Sequence, residues 1–192
     1  MRAIDAMRRA VPDAAITVVL SPDNCELWSE LCRRHMFDSP AIVDGGETRW
    51  HSVRNALDSI PADRHGIVLV HDGARPLAPA DMVRRVVDAA IGSHAAIPAI
   101  AVTDSLRVID DSGDSHAVER SRYRAVQTPQ GFDTDLLRHA YRQPFSPTFT
   151  DDASVVEATG SRVALVEGDH RNIKITHSRD IDIAATYLDE TR

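Results

Sequence analysis

Residues 66–76 read Gly-Ile-Val-Leu-Val-His-Asp-Gly-Ala-Arg-Pro, an unbroken apolar run followed at once by charged residues. Such a short apolar run, bounded by glycine and polar residues, is typical of a strand that is buried on both faces of a parallel sheet. Charged side chains at the end of a buried strand are costly unless they meet partners or a ligand. The stretch therefore predicts a parallel sheet with a polar site at the carboxyl end of one strand.

Strand and helix patterns alternate on both sides of this stretch. Short apolar or β-branched runs predict further strands at 16–20, 41–46 and 95–102, and later at 162–168 and 172–175. Amphipathic segments predict helices at 2–10, 21–35, 49–60, 79–91, 134–143, 151–159 and from about 178. This order indicates βαβ units around a mostly parallel sheet. No linker divides the chain, so we expect a single domain over residues 1–192.

Residues 105–126 follow a different pattern. Apolar and polar residues alternate on both sides of the turn-rich centre Asp-Asp-Ser-Gly-Asp-Ser at 110–115. The pattern predicts a long two-stranded β-arm. Because a lone ribbon is marginally stable in water, we expect the arm to lie against another surface, with a second subunit as the candidate.

The overall composition narrows the class of protein. The net charge of −7 argues against a broad nucleic-acid-binding surface, which needs clustered cations. No apolar run approaches the length of a membrane span, and the amphipathic start of the sequence differs from a signal peptide. We therefore expect a cytoplasmic protein that binds neither nucleic acid nor membranes.

The two cysteines, Cys25 and Cys32, fall on one predicted helix. At a rise of 1.5 Å per residue their Cα atoms would be about 10 Å apart, too far for a disulfide. Without further cysteines or a paired histidine motif they form no metal site either. We expect both to be packing residues.

Polar residues follow three of the predicted strands, at 44–47, 71–75 and 103–105, where parallel sheets bind ligands. Gly45 and Gly46 would let a ligand approach the backbone closely, with Ser52 in the next helix. Asp72 suits a metal ion or a substrate hydroxyl, and Arg75 suits a phosphate. The alternative is an ordinary turn at each place, with Asp72 as a cap and Arg75 in a surface ion pair.

Two later segments and one lysine are further candidates. Residues 127–130 place Thr128 and two glutamines around a proline, which suits recognition of a polyol or phosphate but equally suits a loop without function. Residues 150–154 are best explained as a helix N-cap with acids in the first turn. Lys174 is the only lysine among 22 basic residues. Either an anion site requires its compact ammonium, or codon bias has left one lysine by chance.

Several familiar motifs do not occur in the sequence. It has neither of the glycine-rich phosphate-loop patterns, GxGxxG and GxxxxGK[ST], and neither HExxH nor GxSxG. Hydrolysis by a catalytic triad therefore has no support.

Six segments, taken together, resemble the motifs of the 2-C-methyl-D-erythritol 4-phosphate cytidylyltransferase family. In chain order they are VDGGETRWHSV (43–53), LVHDGARP (69–76), AVTDS (101–105), QTPQGF (127–132), TDDAS (150–154) and VEGDHRNIKIT (166–176). The resemblance implies an α/β fold with a Rossmann-like, mostly parallel sheet, flanking helices and a protruding β-arm that forms a homodimer. It also implies transfer of CMP from CTP to 2-C-methyl-D-erythritol 4-phosphate, releasing pyrophosphate, with Mg²⁺ held largely by the CTP phosphates. Positioning and cations do most of the catalysis in such a transfer.

The resemblance also assigns roles, residue by residue. The positions that resemble the cytidine-binding ones are Gly46, Glu47, Ser52 and Gly73. Those that resemble the contacts of the acceptor are Asp72, Arg75, Ser105 and Thr128. Arg120, on the arm and so offered to a neighbouring subunit, and Lys174 resemble the catalytic pair that positions the attacking phosphate. No protein side chain is assigned to the metal.

The sequence departs from the family pattern in three places. Gly73 stands where alanine is common, and Ser105 replaces a more usual threonine. The sequence also begins inside a helix, without the strand and glycine-rich loop that bind the triphosphate in the family. A misassigned start codon or a truncation would explain this beginning. We therefore expect loss of triphosphate binding, loss of most or all activity, and an exposed apolar sheet edge that lowers solubility. Turnover of residues 1–192 at a rate typical of enzymes would contradict this expectation.

Three other interpretations remain open on the sequence alone. A related cytidylyltransferase could use another polyol phosphate, such as ribitol 5-phosphate. A non-catalytic dimeric nucleotide-binding relic, or a generic α/β domain without a nucleotide role, would also fit the predicted fold.

Overall fold

The computed structural model describes residues 1–189, with Asp189 described through its backbone alone. The α-helices within these residues are α1 (Arg2–Ala10), α2 (Cys25–Arg34), α3 (Arg49–Ser59), α4 (Ala80–Ser93), α5 (Thr134–Ala140), α6 (Asp152–Glu157) and α7 (Ser178–Asp189). The strands are β1 (Thr17–Leu20), β2 (Ala41–Asp44), β3 (Ile67–Val70), β4 (Ala95–Ala101), β5 (Arg107–Ile109), β6 (Ser115–Ala117), β7 (Arg124–Val126), β8 (Gln130–Asp133) and β9 (Ala164–Glu167). Short 3₁₀ turns occupy Pro22–Asn24 and Arg120–Arg122. Cys25 and Cys32 are free thiols within α2.

The strands form a Rossmann-like α/β arrangement with flanking helices. β1 and β2 pair in parallel as a two-stranded sheet. In the main sheet β8 lies between β3 and β4 and runs antiparallel to both, so β3 and β4 are parallel to each other. β9 pairs in parallel with β4, and β7 pairs antiparallel with the carboxyl half of β4. Within the described residues, no strand pairs with β3 on the edge opposite β8.

β8 was not predicted, because no strand pattern was recognised in or directly after residues 127–130. Its strand character comes from its neighbours: Phe132 is fully buried, and Gly131 lies beneath α4. A Cβ atom on Gly131 would come within 2.9 Å of Val86 Cγ1 and 3.3 Å of Ala90 Cβ. Only a glycine lets α4 pack this closely on the strand.

Three other predictions need correction. The two-stranded arm consists of β5 and β6 alone, because β7, the last part of 105–126, joins the main sheet. Residues 172–175 form no strand; Ile175 N donates to Ala74 O at 2.8 Å, and Asn172 is bonded to Arg75 and Thr128. β3 is only partly buried, unlike the first five residues of β4, because one of its edges has no strand neighbour in the described part of the chain.

The buried apolar residues form two clusters. One cluster packs α3, α5 and α6 around Trp50, Phe132 and Leu137. A second joins α1 to α4 through residues such as Met7 and Met82. No helix of residues 1–189 combines the length and the apolar character needed to cross a bilayer.

The close approach of α4 to β8 gives a stability prediction. Gly131→Ala should lower the free energy of unfolding by about 1–3 kcal/mol, because the new methyl group overpacks against Val86 and Ala90. Gly92→Ala, on α4 itself, meets no atom within 4 Å. It should be neutral or stabilising by about 0.5–1 kcal/mol, because alanine is the better helix former. Urea unfolding of both variants would check this, and equal effects would contradict the packing argument.

Candidate active site

The loop after β2 is braced from both sides. Gly45 N donates to Leu20 O at 2.6 Å, and Gly46 N donates to Ser52 Oγ at 3.1 Å. Ser52 Oγ donates in turn to Thr48 O at 3.0 Å, so this hydroxyl fixes the loop. A Cβ atom on Gly46 would lie 2.4 Å from His51 Cβ, which excludes any other residue there. The result is a compact loop with the backbone of Gly46 and the side chain of Glu47 exposed to solvent.

The loop after β3 places a carboxylate among three cations. Asp72 Oδ2 lies 3.1 Å from Lys174 Nζ and 3.8 Å from Arg75 Nε, and its Oδ1 lies 3.5 Å from Arg49 Nε. Burial alone would raise the pKa of Asp72, but the hydrogen bond from Lys174 and the charges of Arg49, Lys174 and Arg75 outweigh it and lower that pKa. Asp72 is therefore ionised at neutral pH.

Arg75 ties this loop to two other segments. Its Nη1 donates to Asn172 O at 2.7 Å and its Nη2 to Val126 O at 3.4 Å. Its side chain is only 12% exposed, and burial lowers its pKa. Most of the guanidinium is thus committed to the protein backbone, whereas Gly73 beside it is exposed and has open space around it.

A buried hydrogen-bond chain holds the same loop from beneath. His71 Nε2 lies 2.9 Å from Arg75 O, a group that only accepts, so Nε2 carries the proton. His71 Nδ1 then accepts from Thr128 Oγ1 at 3.1 Å, and Thr128 Oγ1 accepts from Asp72 N at 3.0 Å. Burial lowers the pKa of His71, which favours this neutral form. The hydroxyl proton of Thr128 is therefore used within the protein.

The polar side chains around Pro129 are also structural. Gln127 pairs with the backbone of Asp169, through Nε2 to its carbonyl at 2.8 Å and Oε1 from its N–H at 3.1 Å. Gln130 donates to Asp151 Oδ2 at 2.8 Å and accepts from Ala153 N at 3.0 Å. Both glutamines are buried. Of the two interpretations left open by the sequence, these bonds favour a structural role, in which the glutamines fix the loop around the cis peptide Thr128–Pro129.

Asp151 and Asp152, at the start of α6, have different partners. The sequence predicted an N-cap within residues 150–154, and the structure makes it Asp151, which forms a capping box with Ser154. Asp152 has a fully buried side chain that the sequence interpretation treated only as a first-turn acid. Its Oδ1 accepts from Tyr141 Oη at 2.6 Å and its Oδ2 from Arg49 Nη2 at 2.6 Å. Burial and the negative charge of Asp152 raise the pKa of Tyr141.

The predicted site residues thus lie in three places, and Gly73 belongs to the first of them, directly after Asp72. Asp72, Arg75, Thr128 and Lys174 meet in one cluster, and Gly46, Glu47 and Ser52 form the neighbouring loop, with Arg49 between the two. Arg120 and Ser105 lie apart, at the base of the arm, where Arg120 Nη1 donates to the carbonyl of Thr103. Sequence reasoning missed Arg49, although it stands inside the quoted segment 43–53. In the part of the chain that the structure describes, no three His, Cys, Asp or Glu side chains converge as a metal site.

Comparison with known proteins points to a single family. The family model described as "IspD: 2-C-methyl-D-erythritol 4-phosphate cytidylyltransferase" matches residues 1–190. The enzyme of that name from Bacteroides fragilis is 46% identical over 98% of this chain and 85% of its own length. The one from Porphyromonas gingivalis is 45% identical over 91% and 78%.

Solved structures agree with this match. The 2-C-methyl-D-erythritol 4-phosphate cytidylyltransferase from Thermus thermophilus is 35% identical and superposes with a TM-score of 0.77, covering 97% of this chain and 86% of that one. The 4-diphosphocytidyl-2C-methyl-D-erythritol synthase from Anaerococcus prevotii is 28% identical with a TM-score of 0.84, covering 98% and 84%. Sequence and structure together show that the chain belongs to the 2-C-methyl-D-erythritol 4-phosphate cytidylyltransferase family.

Proposed function

We propose that the two neighbouring loops hold the two substrates of the cytidylyltransferase reaction side by side. As a member of this family the chain acts on CTP and 2-C-methyl-D-erythritol 4-phosphate. The cytidine would lie on the loop after β2, and the acceptor would lie beside Asp72. The observation that carries this assignment is the Asp72–Lys174 ion pair of 3.1 Å. It places an ionised carboxylate beside the ammonium of a half-exposed lysine side chain.

The transfer reaction requires correctly positioned substrates and positive charge near the reacting phosphates. An oxygen of the acceptor phosphate forms a bond to the α-phosphorus of CTP, while the bond from that phosphorus to the bridging oxygen breaks and pyrophosphate leaves. Lys174 has three N–H donors, of which one is directed at Asp72. The others are free to hold the attacking phosphate and to oppose the negative charge that gathers at the α-phosphorus.

The residues assigned to cytidine offer it mostly backbone atoms. Gly46 and Gly73 carry no side chain and both are exposed, so the cytosine and ribose can approach the main chain closely. The exposed carboxylate of Glu47 suits a sugar hydroxyl or the cytosine amino group. Ser52 contributes by fixing Gly46, to whose N–H it is bonded at 3.1 Å.

The acceptor contacts are of two kinds. Asp72 would accept hydrogen bonds from the polyol hydroxyls, and Ser105, which is exposed at the base of the arm, would offer the acceptor a hydroxyl. Arg75 and Thr128 are largely committed to the backbone and to His71, as described above. We propose that Arg75 and Thr128 contact the acceptor through the hydrogen-bonding groups that these bonds leave unused.

We also propose a homodimer formed through the arm, with Arg120 of each subunit offered to the site of the other. In support, the arm exposes apolar side chains, with Ile109 72% and Val108 41% exposed. A two-stranded ribbon with such an exposed surface is poorly stabilised alone. We also propose that the enzyme works in the cytoplasm.

A Mg²⁺ ion is the proposed cofactor, held largely by the triphosphate oxygens of CTP. The ion would neutralise charge on the leaving pyrophosphate. Both oxygens of Asp72 already face protein cations, which supports assigning the ligands of the metal to the nucleotide.

The proposal is tested with the purified protein. Calorimetry should show 2-C-methyl-D-erythritol 4-phosphate binding more tightly than ribitol 5-phosphate. Pyrophosphate release from CTP should require the first acceptor and Mg²⁺. Equal affinity for both acceptors, or tighter binding of ribitol 5-phosphate, would contradict the assigned acceptor.

Lys174→Ala should reduce pyrophosphate release and weaken acceptor binding, on the order of 10²-fold or more in kcat/KM, because a cation at the attacking phosphate is lost. Lys174→Arg should restore only part of the rate, since the guanidinium differs in shape and reach. Arg162→Ala, an exposed cation before β9, is the matched control and should behave as the wild type. A Lys174→Ala rate close to that of the control would contradict the role.

The neutral His71 gives a pH prediction. Its pKa is lower in the folded protein than the usual value of about 6.5, so the unfolded chain binds more protons just below that pH. The free energy of unfolding should therefore fall as pH drops below about 6.5, by up to about 1.4 kcal/mol per unit. His71→Gln should flatten this slope, whereas His116→Gln, at an exposed position on the arm, should retain it. Urea unfolding between pH 7.5 and 5.5 measures both, and an unchanged slope in His71→Gln would be the contrary result.

A further inference from the structure

Arg49 occupies a position between the two halves of the site. It is the first residue of α3, directly after the loop 45–48 that we assign to cytidine. Its side chain leaves the helix toward α6 and the loop after β3, where it reaches two carboxylates. It thereby links Asp72 to Asp152, which belong to distant parts of the sequence.

One end of Arg49 is firmly anchored. Its Nη2 donates to Asp152 Oδ2 at 2.6 Å, and Asp152 is fully buried. A buried carboxylate must be paired, and Tyr141, which donates to Oδ1, is a neutral partner. Arg49 is therefore the cation on which Asp152 depends. Burial would lower the pKa of Arg49, but the charges of Asp152 and Asp72 outweigh burial and raise it, so the guanidinium stays charged.

The other edge of Arg49 faces the acceptor carboxylate. Its Nε lies 3.5 Å from Asp72 Oδ1, while Lys174 and Arg75 both face Oδ2. Without Arg49, no cation described on the Oδ1 side would oppose rotation of the carboxylate toward Lys174. Arg49 therefore fixes the plane in which Asp72 presents its oxygens.

We propose that Arg49 is a positioning residue for the transfer reaction, holding the Asp72 carboxylate in register from the buried Asp152–Tyr141 pair. This inference rests on the proposed role of Asp72 in acceptor binding. A lysine could not replace it fully, because a single ammonium cannot reach two carboxylates with the separate N–H groups that a guanidinium offers.

The test must avoid leaving Asp152 buried and unpaired. The variant is therefore the double substitution Arg49→Gln/Asp152→Asn, which removes both charges together and keeps hydrogen-bonding side chains at both positions. We expect this variant to fold. Its affinity for 2-C-methyl-D-erythritol 4-phosphate and its kcat/KM in turnover should both fall about 10- to 100-fold, because the Asp72 carboxylate is misplaced. The Kd for CTP should change less than threefold, and Arg49→Lys alone should recover part of the loss.

A double-mutant cycle with Asp72 separates positioning from a general structural role. In an Asp72→Asn background the Arg49→Gln/Asp152→Asn change should cost less than threefold in acceptor Kd, because the group that Arg49 positions is already altered. Arg54→Gln, on the next turn of α3 and packed over Trp50, is the matched control and should leave both affinities unchanged.

The outcomes are distinguishable. Independent, multiplicative effects of Asp72 and Arg49, or a loss of CTP affinity in place of acceptor affinity, would overturn the positioning role. So would wild-type acceptor binding by the Arg49→Gln/Asp152→Asn variant. If Asp72→Asn itself binds the acceptor normally, the proposed function of Asp72 fails, and the inference about Arg49 falls with it.

Discussion

The ionised carboxylate of Asp72 is the constraint around which the site is organised. With its side chain only 15% exposed, this charge is stable because cations converge on it from three parts of the chain: α3, its own loop and the segment 172–175. Attraction between charges is stronger in such a partly desolvated place than in water. Satisfying one carboxylate therefore brings three segments to fixed positions relative to one another.

Hydrogen bonds to backbone groups and neutral side chains fix the positions of these charged side chains. The carbonyl of Asn172 holds Arg75, while the Asn172 side chain donates to Thr128 O at 2.8 Å and so links the lysine segment to the cis-proline loop. Thr128 in turn supports Asp72 N. Charges alone attract in all directions, whereas this chain of directional bonds fixes where each charged atom lies.

The sequence was informative where a local pattern was sufficient. Helical periodicity identified α1 and α3 almost to the residue, and the apolar run at 95–102 identified β4. β8 was missed because Gln-Gly-Phe-Asp has no strand pattern of its own and becomes a strand only between β3 and β4. The arm was predicted too long because the alternation continues into β7, which long-range pairing with β4 removes from the ribbon.

The same distinction holds for the site. Asp72, Arg75 and Lys174 could be named as candidates because each stands at a strand end or is chemically unusual, and because the family motifs contain them; the structure brings the three side chains together. The pair of Arg49 and Asp152 was missed because its members are separated by 103 positions and neither residue is unusual locally. A buried ion pair of that kind has no signal in a single sequence; only the fold brings it together.

The lone lysine has an analytical consequence. Apart from the α-amino group at the start of the chain, Lys174 is the only primary amine in the sequence, and 47% of its side chain is exposed. An amine-selective label would therefore have two targets, this ammonium and the α-amino group, without the background from scattered surface lysines that complicates such chemistry in most proteins. The label found on the peptide that contains Lys174, after digestion of the protein, would then report whether this ammonium is free or covered.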